Sequence, residues 1–108
     1  MVQTVGVTTS EYAKVNKDKL RKLVQARKKA VEFVYANPEE TAKIVAKQYN
    51  TDEKTILAAV INLSALKYWG AGEFEYAAMD NMTRGLQIIG EVDGKIDWST
   101  VVDESFVK

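Results

Sequence analysis

The sequence predicts a mainly α, four-helix-rich domain that opens on one N-terminal β-strand. Three observations carry that expectation. Apolar residues recur at helical spacing from Leu20 to Ile89. The single proline sits in Asn37-Pro38-Glu39-Glu40, the order of residues that restarts a helix. β-Branched residues dominate Val2–Thr8, Val-Gln-Thr-Val-Gly-Val-Thr, and no second strand-like stretch follows. The 108 residues therefore divide as one domain into a strand over 2–8, a helical core over 17–89 and an irregular tail over 90–108.

Each element has a local rationale. A lone strand cannot satisfy its own backbone, so Val2–Thr8 must pair with something, either absent chain or a second copy. Thr9, Ser10 and Glu11 cap a short helical turn through about Lys14. Asn16 is the expected N-cap of the long helix, with Asp18 in its first turn. From there Leu20, Leu23, Val24, Arg27, Val31 and Val34 share one face, widened by Ala26, Ala30 and Phe33. The cationic cluster from Arg21 to Lys29 lies mainly outside that stripe and reads as a solvated face. Asn37 and Pro38 start the next helix, which runs to about Gln48 and buries Ala42, Val45, Ala46 and then Tyr49. Asn50 adopts the left-handed stop, and Thr51 caps a third helix with Leu57, Val60, Ile61 and Ser64 on one face. Trp69-Gly70-Ala71-Gly72 breaks the pattern. A fourth helix from about Glu73 to Ile89 uses Phe74, Ala78, Met79, Met82, Leu86 and Ile89, and Gly90 ends it. Asp93-Gly94 marks a tight turn in the tail.

Composition narrows the functional classes. Hydrophobic residues make up 46% and charged residues 28%, an ordinary globular balance. Fifteen basic and fifteen acidic residues cancel, whereas nucleic-acid domains carry a basic surplus. The absence of histidine and cysteine removes the usual general base, the Ser-His and Cys-His nucleophiles, and the common zinc sets. Neither an enzyme nor a cofactor is expected. No apolar run approaches the ~20 residues of a membrane span, and no secretory signal pattern is present.

Few residue groups carry chemistry. The pair of helices over 42–63 is laid out like a helix-turn-helix, with Ala46, Asn50 and Ile56 at the expected positions. Asp52 and Glu53 open its would-be recognition helix and would face phosphates, so a DNA-binding or free-standing helical interaction module is the alternative rather than the leading reading. Asp93, Asp97 and Glu104 match three positions of a calcium loop, but Lys95 and Trp98 stand where an oxygen ligand and a glycine are needed. The pairs Glu39/Glu40 and Asp52/Glu53 are explained as helix starts. Tyr68 and Trp69, two aromatics beside a glycine loop, are candidate ligand contacts, with the plugging of a helix junction as the competing role. Ser10 and Tyr12, just past the strand, are candidates on similar grounds.

Four stretches in order, Thr-Thr-Ser-Glu-Tyr-Ala-Lys, Leu-Val-Gln-Ala-Arg-Lys-Lys-Ala, Asn-Pro-Glu-Glu-Thr-Ala-Lys-Ile-Val-Ala and Gly-Glu-Val-Asp-Gly-Lys-Ile-Asp-Trp, followed by Asp103 to Phe106, span nearly the whole chain. In this order and spacing the chain resembles the C-terminal segment of periplasmic substrate-binding proteins of ABC importers, in the nitrate/sulfonate/taurine/thiamine-precursor group. The resemblance implies a two-lobed α/β periplasmic-binding-protein fold of which this chain is a part, with Val2–Thr8 as the hinge strand and the helices packed on a sheet it lacks. It implies capture of a small-molecule solute by lobe closure without covalent chemistry, delivery to an ABC permease in the membrane, and a periplasmic or lipid-anchored extracytoplasmic location. Most ligand contacts of such proteins come from segments absent here, so the resemblance transfers no binding residue and the candidates remain Ser10, Tyr12, Tyr68 and Trp69. The uncovered strand and apolar face imply self-association of the chain.

Overall fold

The computed structural model describes residues 5–107. Among them lie five α-helices, α1 (Ser10–Val15), α2 (Lys17–Ala36), α3 (Pro38–Tyr49), α4 (Glu53–Ala65) and α5 (Tyr76–Ile88), and two single 3-10 turns over Trp98–Thr100 and Glu104–Phe106. The chain divides into two compact units. One is Lys22–Gly72; the other takes the residues through Arg21 and those from Glu73 onward. The boundary falls inside α2.

The expected strand is not found. Residues 5–9 carry no strand, residues 2–4 of that stretch lie outside the described residues, and no other strand occurs among the described residues. The architecture there is helical, and neither the N-terminal strand nor a two-lobed α/β fold is part of it. The reason is the one that made a lone strand costly. β-Branched residues favour extended backbone, but only a ladder partner satisfies its N–H and C=O groups. Val7 stays 88% exposed.

In the Lys22–Gly72 unit, the close packing is between α3 and α4. Ala42 and Ala46 sit one turn apart and are buried, Ala42 completely, and small side chains at this spacing let a second helix approach closely. Thr41 and Val60 complete the buried residues of the pair, and Val31 is the buried residue of α2. Pro38 occupies the first position of α3, where a missing N–H costs nothing. Asn37 differs from expectation. Its side chain makes no cap, and its amide instead donates to the Phe33 carbonyl at 3.3 Å. Asn50 takes the left-handed conformation at φ 50°, and the Thr51 N–H donates back to Ala46 O at 2.9 Å. Tyr49, just before that turn, is 74% exposed rather than buried. The N-cap of α4 is Asp52, one residue later than expected. Its carboxylate accepts from both the N–H and the hydroxyl of Thr55 at 2.8 Å.

In the other unit, Thr9 caps α1 by accepting from Tyr12 N–H at 3.1 Å. Asn16 closes that helix rather than opening the next with its side chain. Both its backbone N–H and its amide donate to Tyr12 O, at 3.0 and 3.1 Å. Met79 and Thr83, i and i+4 on α5, are buried, and the Thr83 hydroxyl donates to Met79 O at 3.0 Å. Met82, Leu86 and Ile89 remain exposed. Two tail contacts return to α5. Trp98 Nε1 donates to Asp80 at 2.7 Å, and Gln87 Nε2 donates to Gly94 O. A third lies at its start, where burial and a hydrogen bond to the Glu104 carboxylate hold the Tyr76 phenol above its usual pKa.

Candidate functional site

The aromatic site is built by how α4 stops. Its last turn closes with Lys67 N–H on Ser64 O and Tyr68 N–H on Leu63 O, both at 3.0 Å. That pattern places the intervening residue in the left-handed region, where glycine is the usual occupant. Here it is Lys67, at φ 49°. The turn delivers Tyr68 and Trp69 directly after it.

Trp69 is then pinned from across the unit. The Tyr35 hydroxyl, near the end of α2, donates to Trp69 O at 2.9 Å and accepts from Trp69 N–H at 3.0 Å. One hydroxyl thereby satisfies both main-chain groups of a residue outside any helix. Arg27, two turns earlier on α2, donates to Gly70 O at 3.3 Å. The rings pack edge to face, Tyr35 to Trp69 with centroids 5.9 Å apart and Tyr68 to Trp69 with centroids 5.7 Å apart.

An open concavity of about 320 Å³ lies at this cluster, lined by Tyr35, Ser64, Lys67 and Trp69. Its lining is mainly apolar, with two polar exceptions. Ser64 Oγ is buried and has no hydrogen-bond partner. Lys67 forms no ion pair among the described residues. An aromatic wall with a cation and a spare hydroxyl matches the general build of small-molecule sites, apolar with a few polar groups that orient the ligand.

Of the four residues singled out from sequence, Tyr68 and Trp69 meet in this cluster. Ser10 and Tyr12 belong to the other unit, both exposed, Ser10 as the first residue of α1. Their unit has its own concavity of about 390 Å³ at the α1–α2 junction, but neither residue lines it. It is lined instead by Lys14, Asn16, Lys17, Asp18 and neighbouring cations, and Asp18 there pairs with Arg21 at 3.6 Å. Sequence reasoning missed Tyr35, Ser64 and Lys67. Tyr35 falls one turn after Val31, a spacing that reads as core, and its 34-residue separation from Trp69 leaves no local signal.

Carboxylates elsewhere serve as local caps. Asp97 accepts from the N–H and hydroxyl of Ser99 at 3.0 and 2.6 Å. Asp103 accepts from Ser105, whose side chain and N–H, aided by the charge of Lys17, hold its carboxyl below the usual range. Asp52 is lowered likewise, first by the Thr55 N–H and then by the Thr55 hydroxyl. Among the described residues no three acidic side chains come together as a metal-holding group, and no helix is long and apolar enough to cross a membrane.

Comparison with known families adds one finding. Residues 1–41 match the model of the NMT1/THI5-like family, a family of solute-binding proteins of ABC-type transporters. The match takes in α1, α2 and the start of α3, and with them Ser10 and Tyr12; Tyr68, Trp69 and the 320 Å³ concavity fall outside it. No curated protein and no solved structure matches the chain significantly.

Proposed function

We propose that this chain is part of the solute-binding component of an ABC-type import system, which captures a small molecule without covalent chemistry and hands it to a membrane permease. The observation that carries the reading is the NMT1/THI5-like match over residues 1–41. The chemistry of the chain is in keeping with it, since no histidine or cysteine offers a nucleophile or base. Extracytoplasmic location follows from the same family reading. Within this chain the solute contacts are Trp69 and Tyr68, supported by the concavity that Trp69 lines, with Ser10 and Tyr12 as secondary contacts at the α1 start.

A thermal-shift screen of the chain against small heteroaromatic solutes tests the site. A saturable rise in melting temperature that disappears in Trp69→Ala supports it. A full panel without any shift removes Trp69 as a solute contact. The helix-turn-helix alternative gains nothing from the structure, because the first turn of α4 presents Asp52 and Glu53, with Asp52 held ionised by Thr55. A gel shift on duplex DNA at low salt would reinstate it.

A further inference from the structure

Lys67 breaks a local rule at the edge of the aromatic site. Three helices, α3, α4 and α5, end on a left-handed residue, and the occupants are Asn50, Lys67 and Gly90. Glycine and asparagine take that backbone most readily; lysine, with a Cβ and no locally bonding side chain, takes it at a steric cost. A strained residue persists where something other than its own stability retains it, and such residues concentrate at binding sites.

Lys67 lines the 320 Å³ concavity with Trp69, Tyr35 and Ser64, and no carboxylate among the described residues neutralises it. Ser64, on the same wall, carries a hydroxyl that the chain leaves without a partner. A ring that packs on Trp69 would place an attached anionic group within the reach of a flexible lysine.

We infer that the Trp69 concavity selects a small planar organic anion, an aromatic or heteroaromatic ring bearing a carboxylate or a comparable acidic group, with Lys67 as the charge-recognising residue. The inference rests on the reading of Trp69 as a solute contact and names the class of solute.

The test is a titration followed by two-dimensional amide and indole NMR, with benzoate, benzamide and acetate as probes. Benzoate has ring and charge, benzamide the ring alone, acetate the charge alone. The expected result is saturable shifts of the Trp69 indole and of Ser64 and Lys67 with benzoate, and binding at least about fivefold weaker with the other two. Lys67→Arg keeps that preference. Lys67→Gly loses it while raising the melting temperature, since glycine relieves the left-handed backbone, so lost binding is not mistaken for lost folding. Equal binding of benzoate and benzamide overturns the inference and leaves Trp69 standing as a contact for uncharged solutes. No perturbation by any probe overturns both.

Discussion

Tyr35 holds the main chain of Trp69 through one hydroxyl that donates to its carbonyl and accepts from its N–H. Removing the oxygen leaves two partly buried backbone groups without their partner. Tyr35→Phe is therefore expected to cost roughly 1–3 kcal/mol by chemical denaturation, although it adds no cavity. A variant as stable as the parent would mean that solvent satisfies Trp69 equally well. Asp52 gives a second prediction, with a definite pH sign. The Thr55 N–H and hydroxyl lower its pKa in the folded chain. Its contribution is thus present above the unfolded value, about 3.9, and is lost as the pH falls through the lower folded value. Asp52→Ala should melt lower than the parent at neutral pH, and the gap should close below about pH 4. A gap that persists unchanged to pH 2 would assign the stabilisation to something other than the charged cap. Asp52 and Thr51 were both legible as helix-starting residues; which of them caps is decided by one residue of backbone extension that no propensity resolves.

The α3–α4 pair is the element whose packing is tightest, and it rests on small residues. Ala42 is fully buried, with Ala46 one turn on and Val60 opposite among the buried residues. Ala42→Leu adds three carbons where the helices meet, and overpacking of this kind costs about 1–3 kcal/mol. A melting temperature unchanged by the substitution would show that the helices part easily. Both helices, their proline start and the Asn50 stop were readable from periodicity and capping residues. The extent of burial was not. Leu23, 65% exposed on α2, and Tyr49 lie on apolar stripes that sequence assigns to a core. Periodicity identifies the face a helix would bury but not whether a partner arrives to cover it. The aromatic site shows the same division. Tyr68 and Trp69 stand out locally beside Gly70, whereas Tyr35, Ser64 and Lys67 join them only through the α4 terminus and the reach of α2.

At the level of the whole molecule, two compact units share one chain and both leave large apolar side chains in water, among them Leu66 in one and Ile88, at 80%, in the other. Exposed apolar side chains offer area that association between copies would bury. Sedimentation is accordingly expected to show self-association that increases with concentration, and a single monomeric species at high concentration would count against it. The Arg21–Lys29 cations and the balancing acids keep the net charge at zero, so no long-range repulsion opposes contact between copies. By itself the sequence determined the predominantly helical character, the proline start of α3, the Asn50 stop and the lack of histidine and cysteine, because these depend on residue type and on spacing within a few turns. It placed the start of α5 at about Glu73, whereas the helix begins at Tyr76. The tertiary structure decided that Val5–Thr9 is not a strand, that Tyr49 is exposed although Ala42 and Ala46 are core as expected, and that Lys67 stands beside Trp69 and Tyr35. Each of these depends on whether a distant segment supplies a hydrogen-bond ladder, a covering face or a bridging hydroxyl, and residue spacing carries no information about that.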